Sequence, residues 1–109
     1  MGEAMDMKAL FIIVNAGFAE GVIDTAREAG LGGATILNAR GEGVRHESLL
    51  GITLDTEKEM IFSVTDDSTA ERAMAAVKEK AGLKTPAHGV CFTVPVEKTL
   101  GLDLSDKKL

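Results

Sequence analysis

Two short stretches carry residue types suited to an anionic ligand. The first is Arg40-Gly41-Glu42-Gly43, with Arg45 and His46 just beyond. Glycines one residue apart let backbone N–H groups approach a ligand closely, although a flexible turn uses the same pair. Arg40, Arg45 and His46 can contact an anion or a protein target, and a solvated charged loop carries them equally well. The second stretch is Lys84-Thr85-Pro86-Ala87-His88-Gly89. Here lysine offers a point charge for phosphate, while the hydroxyl and backbone amides offer donors. His88 adds positive charge when protonated. The alternative is a solvated loop with Pro86 as an ordinary turn residue.

Metal and covalent chemistry find less support. Cys91, His46 and His88 have none of the paired spacing of a metal site, so no metal site is expected. Cys91 falls in an apolar run and reads as a small core residue. No nucleophile stands at readable spacing from a base, so no catalytic residue is assigned and an enzyme is not expected. An acylphosphatase on the fold inferred below needs an arginine in a loop after the first strand, where this chain has Asn15-Ala16-Gly17.

The composition narrows the classes. A chain of 109 residues, 45% hydrophobic and 27% charged, suits a single soluble domain spanning residues 1–109. The longest apolar run, Ala9 to Val14, is far short of the roughly 20 residues of a membrane helix, so no membrane insertion is expected. No secretory leader is evident. The single cysteine excludes an internal disulfide and suggests a reducing, cytoplasmic setting. A net charge of −5 argues against a general nucleic-acid binder. With no Trp or Tyr and four Phe, a stacking platform for single strands is also unexpected.

The elements that must position these stretches follow from periodicity. Lys8 to Asn15 reads as a strand with Leu10, Ile12 and Val14 on one face and Ala9, Phe11 and Ile13 on the other. Glu20 to Ala29 reads as a helix, with Gly30 placed as a left-handed cap. Gly33 to Ala39 reads as a second strand. Arg40 to about Glu57 has no sustained period and reads as a long loop, a length usually functional or mobile. Lys58 to Thr65 is a third strand. Ser68 and Glu71 have capping-box spacing, and Ala70, Ala73, Met74, Val77 and Ala81 make a helical stripe running to Gly82. Val90 to Val96 is a fourth strand, and the polar tail 99–109 is expected to fray.

The order is βαβ, long loop, βαβ. A duplicated split βαβ predicts an α+β, ferredoxin-like βαββαβ fold: a four-stranded antiparallel sheet with two helices on one face. Helices then cover one face, yet the first strand is apolar on both. A homo-oligomer packing its sheet faces inward covers the other; the alternative is a solvated face with scattered apolar residues.

The segments MKALFIIV, EAGLGGATILNARGEG, EMIFSVTDDSTAERAM and HGVCFTVPVEK, in that order and spacing, resemble the PII family of signal-transduction proteins from about Met7 to Gly101. In that comparison Gly41 and Gly43 stand at the root of the family's long T-loop, Thr65-Asp66-Asp67 at its second helix start, and 83–89 at its short B-loop. The resemblance implies a homotrimer whose intersubunit clefts each bind an adenine nucleotide (ATP, ADP or AMP, with Mg accompanying ATP). The T-loop of one subunit and the B-loop of the next would supply each cleft. The T-loop then acts on a target protein, whether transporter, enzyme or regulator. Thr35 matches the family threonine that bonds the adenine edge; a strand threonine chosen for β-propensity is the alternative.

The chain departs from the family pattern in several places. It has no tyrosine for uridylylation. Arg45 or its neighbour replaces the glutamine used with 2-oxoglutarate. Gly89-Val90 replaces a Gly-Lys pair, and the two arginines usual after the last strand are missing, leaving Lys98 as the nearby cation. Weak triphosphate binding, or a ligand with fewer phosphates, is the expectation. The functional reading is a PII-like regulator signalling nitrogen, carbon or energy status through its loop. The alternatives are a trimeric small-molecule or divalent-metal binder of related fold with no signalling partner, and a weak phosphate-handling enzyme.

Overall fold

The computed structural model describes residues 6–41, 48–49, 52–53 and 57–102. Its elements run β1 (Met7–Asn15), α1 (Ala19–Glu28), β2 (Thr35–Arg40), β3 (Ser48–Leu49), β4 (Ile52–Thr53), β5 (Glu57–Asp66), α2 (Asp67–Ala81) and β6 (Val90–Pro95). The main sheet has the order β2-β5-β1-β6, with every neighbouring pair antiparallel. This is the ferredoxin-like βαββαβ fold that the periodicity predicts.

Strand alternation sorts the side chains onto two faces. Leu10, Ile12 and Val14 of β1 and Ile61 of β5 are buried with Val22, Ile23 and Ala26 of α1 and Ala73, Val77 and Ala81 of α2. Both helices therefore cover one face. On the other, Phe11 stacks against Phe62 at 5.9 Å and Phe92 at 5.1 Å between ring centroids. Leu37, Val90, Phe92 and Val94 are exposed there, each by more than 40%. That apolar patch is the uncovered face that β1 predicts.

Each helix is closed by identifiable groups. The first turn of α1 has no capping side chain of its own. Instead the Glu59 carboxylate of β5 accepts from Gly17 N at 2.8 Å and Ala19 N at 3.1 Å, placing negative charge at the helix's positive end. At its other end Gly30 takes φ 112°, Gly30 N donates to Arg27 O and Leu31 N to Ala26 O, a Schellman arrangement. The predicted cap of α2 is corrected. Asp66, not Ser68, is the N-cap, accepting from Thr69 N at 3.0 Å, and Ser68 Oγ itself donates to that carboxylate at 2.7 Å. A carboxylate two residues upstream is the stronger acceptor and outcompetes the hydroxyl.

Other elements differ from expectation as well, most by a residue at an end. β2 begins at Thr35 rather than Gly33, whose carbonyl accepts instead from Ser63 Oγ. Arg40 and Glu57 are not loop residues but paired strand ends. Between them β3 and β4 pair as a short antiparallel hairpin, where the sequence predicts loop alone. The tail expected to fray lies beyond the described residues from position 103 onward.

Candidate functional site

The 83–89 loop is held by its own backbone and by β1. Thr85 N donates to Gly82 O at 3.0 Å, His88 N to Thr85 O at 3.0 Å, and Gly89 N to Ala81 O at 2.7 Å. Thr85 Oγ1 also donates to Gly82 O at 2.8 Å. The Thr85 hydroxyl, expected as a ligand donor, therefore has its proton committed to the turn and presents lone pairs. Ala87 is buried, and its carbonyl accepts from Asn15 N at 2.9 Å. Lys84 and His88 are exposed, with His88 in the left-handed region at φ 52°.

Gly89 has a structural reason of its own. A Cβ there would lie 2.4 Å from Ala81 O and 3.4 Å from Val14 Cγ1, so the backbone approach requires glycine. Gly82 is constrained similarly, 2.6 Å from Lys78 O. Ala29-Gly30-Leu31 and Ala81-Gly82-Leu83 close the two helices with the same three residue types, yet in two geometries, because Gly82 lacks the positive φ of Gly30.

A cavity of about 780 Å³ opens beside this loop, between α2 and the outer edge of β6. Met74 and Val77 of α2, Leu83, Lys84 and Thr85 of the loop, and Cys91 of β6 contribute to its walls. Burial pushes the Cys91 thiol above its ordinary pKa, by desolvation of the thiolate, which suits the core role expected of it. Glu71 and Lys78 also border the cavity. Neither is assigned to a site from sequence, where Glu71 enters only through its capping-box spacing with Ser68, and both are exposed on α2. Among the described residues, no three His, Cys, Asp or Glu side chains gather in one place.

The remaining predicted residues lie elsewhere. Thr35 sits on the open face of β2, opposite Phe62, and Gly41 follows the end of that strand. Arg40 is exposed. Gly43, Arg45 and His46 lie outside the described residues. β2 and β6 are opposite sheet edges, three strand spacings or roughly 14 Å apart. Gly41 and the 83–89 loop therefore share one end of the sheet but not one edge. Lys98 follows Pro95, which pairs with Lys8 at the opposite end of the sheet. Within one chain, then, the structure gathers Lys84, Thr85, His88 and Gly89, and leaves Thr35, Gly41 and Lys98 apart from them.

The sequence model of the nitrogen regulatory protein P-II family matches residues 7–102. Solved structures share the fold at low identity. A PII-like signalling protein from Thermus thermophilus is 19% identical, with a TM-score of 0.63, over 84% of this chain and 91% of that one. GlnK from B. subtilis gives 18% and 0.68, over 87% and 89%. The B. subtilis GlnK–ATP complex gives 16% and 0.66, over 87% and 85%. No curated protein matches the sequence significantly.

Proposed function

The chain belongs to the nitrogen regulatory protein P-II family, and on that premise we propose that it is a homotrimeric regulator that binds an adenine nucleotide in clefts between subunits. Lys84, Thr85, His88 and Gly89 form one wall of each cleft. Thr35, Gly41 and Gly43 of a neighbouring copy form the other, with Lys98 as a further cation. The segment 40–57, including Arg40, Arg45 and His46, carries the signal to a target protein when the ligand reorders it.

The observation that carries this reading is the cavity beside the 83–89 loop, open where β6 forms the sheet edge. It is large enough for a nucleotide, and a second chain's edge can close it. The exposed apolar sheet face supplies the surface for such a neighbour. The GlnK–ATP complex shows a protein of this fold with the same class of ligand. Among the described residues, no helix is long and apolar enough to cross a membrane.

Thermal unfolding with ATP, ADP and AMP, each with and without Mg, tests the ligand. A site-specific nucleotide at 100 times its Kd adds about 2.7 kcal/mol of stability. Lys84→Ala is expected to weaken that nucleotide about tenfold or more, the scale of one charge-assisted contact. Lys84 is the better probe than Gly89, whose substitution disturbs packing. Stabilisation by a divalent metal alone, with no nucleotide effect, supports the metal-binding alternative instead.

A further inference from the structure

We propose that Asn15 and Lys58 are positioning residues, a strut across the sheet that couples the root of the 40–57 segment to the 83–89 loop. Lys58 of β5 stands between Ala39 of β2 and Asn15 of β1. Its stem runs alongside Gly41, where a Cβ would lie 3.4 Å from Lys58 Cγ and 3.5 Å from Cε. Its Nζ donates to Asn15 Oδ1 at 2.6 Å. Asn15 Nδ2 in turn donates to Pro86 O at 2.9 Å, while Asn15 N donates to Ala87 O.

The chemistry gives this chain of contacts a direction. An ammonium only donates, so the amide oxygen must face Lys58 and its NH₂ must face Pro86. The amide thus has its two ends fixed by two different elements, its oxygen by Lys58 of the interior strand β5 beside Gly41 and its NH₂ by Pro86 of the 83–89 loop. Moving Lys58 with Gly41 turns or releases the amide and withdraws the donor from Pro86. A coupling of this kind is reciprocal. It rests on the proposed function in one respect: in a trimer with clefts between subunits, a chain's 83–89 loop and its 40–57 root belong to different clefts. The strut then links neighbouring clefts, so that occupancy of one biases the next.

Amide hydrogen exchange of the ligand-free, full-length protein tests the strut without any nucleotide. Lys58→Met keeps the stem and removes the donor. Asn15→Asp keeps an acceptor for Lys58 and removes the donor to Pro86. Each is expected to speed exchange at His88 and Gly89 about twofold to tenfold, the range of one hydrogen bond. Lys58→Arg, which keeps a donor, is expected to leave exchange there close to wild type. The double variant is expected to exchange no faster than Asn15→Asp alone, because both cut one path. Unchanged exchange at 83–89 in Lys58→Met, or additive effects in the double variant, overturns the proposal.

Nucleotide titration of Asn15→Asp then tests the link between clefts, with a changed ratio of first-site to last-site affinity expected. An unchanged ratio overturns the intersubunit half of the proposal. Wild-type protein that binds no nucleotide overturns that half together with the functional reading, while the exchange result still decides the strut.

Discussion

Gly41 and Gly89 look alike as glycines of two candidate ligand loops, but their surroundings differ. A Cβ at Gly89 meets the backbone carbonyl of Ala81, which cannot yield, whereas one at Gly41 meets the flexible Lys58 stem. Gly89→Ala is therefore expected to cost about 1–3 kcal/mol, as overpacking does, and Gly41→Ala to stay within about 0.5 kcal/mol. Urea midpoints at constant m-value read both. Equal costs at the two positions would contradict the packing account. The position of Gly89 in a loop is legible in the sequence; its reason is not. Residues 81, 14 and 89 meet only when the loop folds back on β1, and no local pattern encodes that approach. Asn15 is a similar case. By type it marks only the lack of an arginine, and its role as a connector emerges from contacts with Lys58 and Pro86.

Elements with a sustained apolar period were the most legible. β1, β5, α1 and α2 fall within one or two residues of their predicted spans, because burial against a common core imposes the period. Ends were less so, since caps depend on which acceptor wins. The spacing of Ser68 and Glu71 fits a capping box, yet Asp66 takes the cap and engages Ser68 Oγ, Thr69 N and Thr69 Oγ1. Asp66→Ala is accordingly expected to cost about 1 kcal/mol, and Ser68→Ala only a few tenths, measured by chemical denaturation. The reverse order would restore the capping box. The cap of α1 was beyond local reading altogether, because Glu59 reaches it from 40 residues along the chain. The β3–β4 hairpin is two residues per strand, too short for alternation to register.

At the scale of the whole molecule, the informative feature was already visible in β1, a strand apolar on both faces in a fold whose helices cover one. Phe11, Phe62 and Phe92 form a stacked row on the uncovered face. Thr35 and Gly41 stand apart from the 83–89 loop within one chain, and the proposed cleft joins them only if a second copy supplies the other wall. Phe92 is exposed in the single chain, so Phe92→Glu is expected to spare the fold while placing a charge where a neighbour would pack. Light scattering should report about three times the chain's 11.5 kDa for wild type and a single chain for the variant. The most direct test of a shared cleft is calorimetric titration of ATP, ADP and AMP into both proteins, with circular dichroism confirming that the variant is folded. Saturable binding of one nucleotide per subunit in wild type, lost in the folded monomer, is the predicted result. Binding that survives in the folded monomer, or is absent from the wild-type trimer, would contradict it.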